Sequence, residues 1–428
     1  MNLKTAKTPP LGWNSWDCFG AAVTEAELLA NAEYMAENLA EFGWQYIVCD
    51  IQWYEPNAKD NDYNNFTELT MDGFGRLLPA VNRFPSAAGG QGFKPIADKL
   101  HAMGLKFGIH ILRGIPRAAV HQNLPIQGTA CTARDAAHHF SVCSWNTDMY
   151  GMRDCEAAQA YYDSILELYA AWGVDFIKCD DMCITEFRQW DEPYSARREI
   201  EMLRSAMDRC GRDMVLSLSP GPAVREEAKH LAKYAEMWRL TGDFWDEWPK
   251  LYDMFDRCEE WQGVPKPGAW CDCDMLPMGR ISKNGACHGE QNRMTNFTKP
   301  EQVTMMTLWG IFQSPLMFGG NLPENDAFTL KLLTNRRYLA MHREAYGARQ
   351  LLRDNAHIVW TACGRGKKYL AVFNLRPRAK RMDVDLTQIL MPDTAYTAHD
   401  IWQGSEETVQ NKLTCEVEAH GAALFEIF

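Results

Sequence analysis

The sequence predicts an α/β protein, a (β/α)8 barrel over residues 1–335 followed by a smaller antiparallel β-sandwich domain over residues 345–428. Three observations predict it. Through the first three quarters of the chain, short apolar runs alternate with longer stretches of helical period, which is the βαβα pattern of a parallel sheet or barrel. From about residue 351 the texture changes to short apolar runs with turn residues between them, as in antiparallel strands. The apolar runs of the first part end in charged residues, at the end of each strand where a barrel places its active site.

The elements follow in order. A first strand is predicted at 11–16, then a helix from Thr24, where Thr24 and Glu27 form a capping box and Leu28, Leu29, Ala32 and Met35 share one face. The second strand spans 46–52 and leads through a long polar loop to a helix at 95–103. The third, at 106–112, is followed by the long loop 113–152 and a helix at 155–172. Strand four, at 175–180, precedes a helix at 196–210, and strand five lies at 214–219. Strand six spans 235–240, with a helix running on through Trp261; strand seven is 268–273. A helix at 300–312 and an eighth strand at 316–319 complete the barrel. Beyond it, runs at 358–360, 369–373, 382–385 and 423–427 are the strands of the second domain.

A hydrophobic content of 46% over 428 residues supports a core of this size. The net charge of −12 argues against nucleic acid or an anionic membrane surface as partner, since both would repel it. A small neutral substrate fits better. The fifteen Trp and fifteen Tyr supply rings on which sugars stack, although core packing claims most aromatic residues in any protein. Residues 1–8 carry no apolar signal core and no run of eighteen apolar residues follows, so the expected location is the cytoplasm. The fourteen cysteines are accordingly read as free thiols, with Cys49, Cys179, Cys271 and Cys273 on buried strands; their spacing makes poor zinc signatures. Neither a metal nor a cofactor is expected, and a homo-oligomer is left open.

The strand ends supply Trp16, Asp17, Asp50, His110, Lys178, Asp180, Arg239, Asp243, Asp272 and Asp274. Acids and cations thus converge on one mouth. Two carboxylates across a pocket suit glycosidic cleavage, one as an ionised nucleophile and the other as an acid that holds its proton until needed. Asp180, two residues from Lys178 on the same strand face, suits the first role, and Asp243, beyond its strand end, the second. Spacing alone leaves two other readings open: salt bridges that close the barrel mouth, or a divalent cation on Asp50, Asp180 and Asp274. The cations Lys178 and Arg239 count against the latter.

With these residues in place, the chain resembles glycoside hydrolase family 27, the α-galactosidase and α-N-acetylgalactosaminidase family. The resemblance rests on four motifs in order: Thr8-Pro9-Pro10-Leu11-Gly12-Trp13-Asn14-Ser15-Trp16, Lys178-Cys179-Asp180, Arg239-x-x-x-Asp243, and Trp270-Cys271-Asp272-Cys273-Asp274-Met275-Leu276. It implies a retaining exo-glycosidase for terminal α-D-galactosyl-type sugars, with Asp180 as nucleophile and Asp243 as acid/base. Trp16, Asp50, Lys178, Arg239, Asp274 and Met275 would then line the sugar site. A sugar-binding protein that has lost the reaction is the alternative outside enzymology, and the presence of both carboxylates and both cations argues against it.

Three departures bear on the sugar. Where the family commonly has Asp-Asp after the second strand, this chain has Asp50-Ile51, and an aliphatic side chain cannot accept a bond from a 6-hydroxyl. A sugar without that CH2OH, such as β-L-arabinopyranose, therefore enters the list. His110 stands where the family commonly has Tyr and is expected in the pocket, because Ile109 and Ile111 flank it and point the other way. Ser219 leaves room at C2 for an acetamido group, while the Pro-Gly after it disturbs the alignment, so N-acetylgalactosamine also stays open. The loop carrying Trp145 is expected to cover the leaving-group side.

Overall fold

The computed structural model describes residues 5–59, 63–143, 145–182, 196–219, 221–284 and 291–428. Eight parallel strands form its first part: β1 (Leu11–Asn14), β2 (Tyr46–Cys49), β3 (Lys106–Leu112), β4 (Phe176–Asp180), β5 (Val215–Leu218), β6 (Met237–Arg239), β7 (Trp270–Asp272) and β8 (Leu316–Phe318). They pair in the order β7-β6-β5-β4-β3-β2-β1-β8. The two ends meet just past β7, where Leu276 bridges Phe318 in parallel; its N–H donates to the Met317 carbonyl at 2.8 Å and its own carbonyl accepts from Gly319 N–H at 3.0 Å. The predicted barrel is present.

Helices wrap the strands: α1 (Glu25–Asn38), α2 (Lys94–Ala102), α3 (Glu156–Trp172), α4 (Arg197–Arg209), α5 (Ala228–Tyr234), α6 (Trp248–Trp261) and α7 (Lys299–Phe312). Thr24 caps α1 through the predicted capping box, accepting from Glu27 N–H at 3.4 Å while Glu27 Oε2 accepts from Thr24 N–H at 2.8 Å. Thr298 and Glu301 do the same for α7.

Alternation along the strands divides the barrel into two environments. Outward residues such as Ile109, Ile177, Leu216, Trp238 and Cys271 join the large core beneath the helices. Inward residues Tyr46, Val48, Phe176, Val215, Met237, Trp270 and Met317 form a separate apolar plug inside the barrel. Gly12 and Gly108 make room for it: a Cβ on Gly12 would lie 2.8 Å from the Tyr46 Cβ, and one on Gly108 3.0 Å from that of Phe176. The next inward positions, one step along each strand, carry the polar residues. The barrel is thus an apolar floor with a charged surface above it.

Several predicted strands extend further than the observed ones, and for the first, second and seventh the cause is the polar residue at the strand end. The polar residue that ends each strand takes the backbone N–H groups that would have continued the ladder. Asn14 Oδ1 accepts from Trp16 N–H at 2.9 Å, Asp50 Oδ1 from Ile51 N–H at 2.9 Å, Asp180 Oδ1 from Asp181 N–H at 2.7 Å and Asp272 Oδ1 from Asp274 N–H at 2.9 Å. Trp16 consequently begins a short helix, Trp16–Phe19, rather than ending a strand. The loop after β3 is also more ordered than expected, with a three-stranded sheet of Ile115–Pro116, Met149–Met152 and Ala137–Val142.

The second part is a sandwich. Its larger sheet contains β9 (Tyr346–Arg353), β10 (His357–Gly364), β11 (Lys367–Asn374), β13 (Tyr396–Asp400), β14 (Glu406–Val409) and β16 (Ala422–Ile427), in the order β9-β10-β11-β16-β13-β14. β12 (Lys380–Asp385) pairs with β15 (Lys412–Val417) in a second, antiparallel sheet. On β11, Leu370 and Val372 face the sandwich core, whereas Tyr369, Ala371 and Phe373 face the barrel, where Phe373 meets Phe255 of α6 at 4.9 Å between ring centroids. Two buried faces on one strand explain its unbroken apolar run. Among the described residues no helix is long and apolar enough to cross a membrane, and Cys49, Cys179, Cys271 and Cys273 are buried free thiols.

Candidate active site

The strand ends gather the predicted charged residues above the apolar plug, around a small pocket. Its lower wall includes Asn14, Lys178, Arg239, Asp272, Asp274 and Met275. Two clusters divide it.

The first cluster spans β1 to β4. Lys178 is expected beside Asp180, but its Nζ bonds to Asp50 Oδ2 at 2.8 Å instead. The reason is the pleat: residues 178 and 180 share a face yet sit one full repeat apart, while Asp50 lies within reach across the barrel mouth. Asn14 Nδ2 donates to the same Asp50 oxygen at 2.7 Å, and Asp50 N–H donates to Ser15 Oγ at 2.9 Å. Burial alone would raise the pKa of Asp50; Lys178, His110 and the hydrogen bonds from Lys178 and Asn14 together outweigh it and hold the carboxylate below its ordinary value. Burial likewise acts to lower the Lys178 pKa, and Asp50 reverses that.

Asp180 takes its support from His110, whose Nε2 lies 2.9 Å from Asp180 Oδ2. His110 is fully buried, and Trp53 Nε1–H donates to its carbonyl at 2.7 Å. The imidazole therefore backs the carboxylate rather than standing open to the pocket. With Asp181 N–H on the other oxygen, both oxygens of Asp180 are engaged and its plane is fixed. Behind it lies a layer not foreseen from the sequence. Arg113 donates to Asp181 Oδ2 at 3.0 Å and to Glu199 Oε1 at 2.6 Å, and Tyr162 hydroxyl donates to Glu199 Oε2 at 2.7 Å. The only sequence signal was the position of Arg113, one residue past β3.

The second cluster spans β6 and β7. Arg239 donates to Asp243 Oδ1 at 2.8 Å and its Nη1 stands 3.4 Å from Asp274 Oδ2, which also accepts from Phe244 N–H at 2.9 Å. The Asp243 side chain is 60% exposed, against 12% for Asp180. Asp243 is expected to be kept protonated by its surroundings, and it is not. Desolvation at the pocket wall pushes its pKa up, but Arg239 outweighs this and holds it below the ordinary value. Buried Asp274 shifts the opposite way, raised by burial despite Arg239 and further by Asp243. Asp272 is pushed up to about 7 by burial and then by Asp274. Asp17, also buried, is raised well above its usual range by burial and by Asp274.

Ile51 is buried beside Asp50, and Arg83 holds this turn by donating to the carbonyls of Gln52, Glu55, Ala21 and Val23 at 2.7 to 2.9 Å. Ser219 is fully buried, its Oγ without a hydrogen-bond partner among the described residues. Trp16 lies at the rim, stacked on Tyr63 of the loop after β2. Trp145 packs against Tyr63 as well. Three carboxylates each with its own partner, Asp50 with Lys178, Asp180 with His110 and Asp274 with Arg239, do not form a shared cation cage. Among the described residues no group of three or more His, Cys, Asp or Glu is placed to hold a metal ion.

Comparison with known proteins agrees with this architecture. Residues 150–344 match the family described as Alpha galactosidase A, and residues 354–427 the Alpha galactosidase C-terminal beta sandwich domain. A family 27 β-L-arabinopyranosidase of Geobacillus stearothermophilus is 53% identical, with 99% of this chain and 96% of that one covered and a TM-score of 0.95; a variant of that enzyme has been solved in complex with arabinose. A Bacillus halodurans protein named as a candidate α-N-acetylgalactosaminidase is 47% identical, with coverage of 98% and 97% and a TM-score of 0.88. The α-galactosidase of Oryza sativa is 25% identical over 424 residues, which is 98% of this chain and 84% of the relative. With its motifs, its two-part fold and these likenesses, the chain belongs to glycoside hydrolase family 27.

Proposed function

We propose that this glycoside hydrolase is a retaining exo-enzyme that removes terminal sugars of galactose configuration and prefers β-L-arabinopyranosides over α-D-galactosides. The observation that carries the preference is Ile51, buried and aliphatic beside Asp50. Asp50, held by Lys178, Asn14 and the Ile51 N–H, still has a lone pair for a ring hydroxyl. Ile51 can accept nothing, so a CH2OH group on that side would lose its water without gaining a partner. The likeness to the Geobacillus β-L-arabinopyranosidase supports the same reading.

In this mechanism Asp180, oriented by His110 and Asp181 N–H, attacks the anomeric carbon and displaces the leaving oxygen. Asp243 protonates that oxygen, then takes a proton from the water that releases the sugar. Its pairing with Arg239 suits the second half, in which it must act as base. For the first half, sugar hydroxyls that engage Arg239 draw the guanidinium away, and the carboxyl recovers its affinity for a proton. Lys178, Asp274 and Met275 complete the wall around the ring.

A hydrolase for α-N-acetylgalactosaminides is a second reading, favoured by the small side chain of Ser219 and by the likeness to the Bacillus halodurans protein. Initial rates on p-nitrophenyl β-L-arabinopyranoside, α-galactoside and α-N-acetylgalactosaminide, measured side by side, test both. The arabinopyranoside should give the highest kcat/KM. Equal rates on arabinopyranoside and galactoside would remove Ile51 as the discriminating residue.

A further inference from the structure

Tyr63 is absorbed neither by the family motifs nor by the mechanism above, yet it stands at the centre of the mouth. It lies in the long loop after β2, half-buried, with its ring stacked on Trp16 at 5.8 Å between centroids and 19° between planes. Its other neighbour is Trp145, from the loop after β3, at 5.4 Å and 43°. The two loops are tied together on either side of this contact. Phe66 N–H donates to Thr147 Oγ1 at 2.8 Å, and Gln52 Nε2 and Tyr54 hydroxyl both donate to Asp148 Oδ2, at 2.6 and 3.0 Å. Asn64, next to Tyr63, is held to Glu55 Oε2 at 2.8 Å. The ring is therefore placed by three segments and not by its own loop alone.

The phenol end is as informative as the ring. After burial, the groups that push its pKa well up are Asp180, then Asp50, then Asp243, so the hydroxyl lies within the field of all three carboxylates around the sugar site. It remains a neutral donor at working pH. Among the described residues it has no hydrogen-bond partner of its own. A donor held at a pocket mouth by stacking, and left without a protein acceptor, can exchange its water for a hydroxyl of the ligand.

We propose that Tyr63 is a substrate-positioning residue: its ring, clamped between Trp16 and Trp145, roofs the pocket over a single terminal pyranose, and its hydroxyl donates a hydrogen bond to that sugar. The assignment rests on the glycosidase reading of the site but is tested separately from it. Roofing by a residue that does not share the reacting charges affects binding of the sugar more than the chemical step.

The test uses the full chain and two variants, with steady-state rates on p-nitrophenyl β-L-arabinopyranoside and calorimetric binding of free L-arabinose and D-galactose. For Tyr63→Phe, which keeps the ring, KM and the arabinose Kd should rise together by about 3- to 10-fold, the worth of one neutral hydrogen bond, with kcat within about twofold and Tm unchanged. Tyr63→Ala should weaken arabinose binding further, by about 30-fold or more, since the stacked wall is lost as well. A Phe variant with KM and Kd both at wild-type values would overturn the assignment, whatever the Ala variant does. Wild-type protein that binds arabinose in a Tyr63-dependent way and hydrolyses no glycoside would overturn the glycosidase reading and leave Tyr63 standing. Absence of both binding and hydrolysis overturns both.

Discussion

Asp180 and Asp243 carry the same functional group on the same barrel, but they are held by different means. Asp180 ends strand β4, 12% exposed, with His110 on one oxygen and a backbone N–H on the other. Asp243 stands on the loop beyond β6, 60% exposed, with Arg239 as its partner. The first is fixed by sheet register: β3 sets His110 level with Lys178, which places the imidazole one step from Asp180. The second is fixed by one guanidinium and by its loop, which Asp246 pins through ion pairs to Arg293 and a hydrogen bond from Asn296 N–H. A rigid, water-poor carboxylate is what a covalent nucleophile needs, and a wetter one that can exchange protons is what an acid/base needs. The contrast supports the proposed roles, and substitutions on either side of it should differ in kind.

The largest effect is expected at the rigid station. Asp180→Ala should lower kcat by at least about a thousandfold on every glycoside, the scale on which loss of a covalent nucleophile is felt. Circular dichroism should stay at wild type and Tm should fall by only about a few degrees, the cost of leaving His110 Nε2 and Asp181 N–H without their acceptor. Asp243→Ala should cost less and be selective, about 10²-fold on alkyl glycosides whose leaving oxygen must be protonated, and much less on p-nitrophenyl glycosides that leave unaided. Equal losses on both leaving groups would break the contrast.

Smaller effects lie around the two stations. Ile51→Asp restores an acceptor beside Asp50 and should shift the ratio of galactoside to arabinopyranoside kcat/KM by about tenfold towards galactoside. Asp272 tests the charge of the β7 side. Its pKa is pushed up to about 7, chiefly by burial and then by Asp274. Between the unfolded value near 4 and that folded value, the folded protein keeps a proton that the unfolded chain releases, so this group's stabilising contribution is full below that window and falls as pH rises through it. Asp272→Asn, which keeps the acceptor for Asp274 N–H, should flatten the decline of Tm between pH 5 and pH 7. An unchanged slope would show that Asp272 is ionised in the folded protein.

The strand-borne part of this site was legible in the sequence because period two is a local signal: Lys178 with Asp180, and His110 between Ile109 and Ile111, show their faces without knowledge of the fold. What each side chain touches was not legible. Lys178 finds Asp50 across the barrel mouth, and that follows from strand order and register rather than from spacing. The ends of the first, second and seventh strands were overestimated because Asn14, Asp50 and Asp272 turn the backbone themselves, which apolar periodicity does not register. The lowered pKa of Asp243 was missed for a similar reason: its partner Arg239 was read as a ligand for sugar and is bonded to the acid itself. Tyr63 carries no local signature, and Arg113 only its place one residue past β3. Tyr63 is placed by Trp16 and Trp145 from distant loops, and Arg113 by Asp181 and Glu199.

In the proposed mechanism Asp180 forms a covalent bond to the sugar while Asp243 does not. Incubation with a 2-deoxy-2-fluoro glycosyl fluoride of arabinopyranose or galactose configuration, followed by digestion and mass spectrometry, measures this directly. One added fluoroglycosyl group per chain is expected, carried on the peptide that contains Asp180. A label on Asp243, or inactivation with no covalent label on the chain, would contradict it.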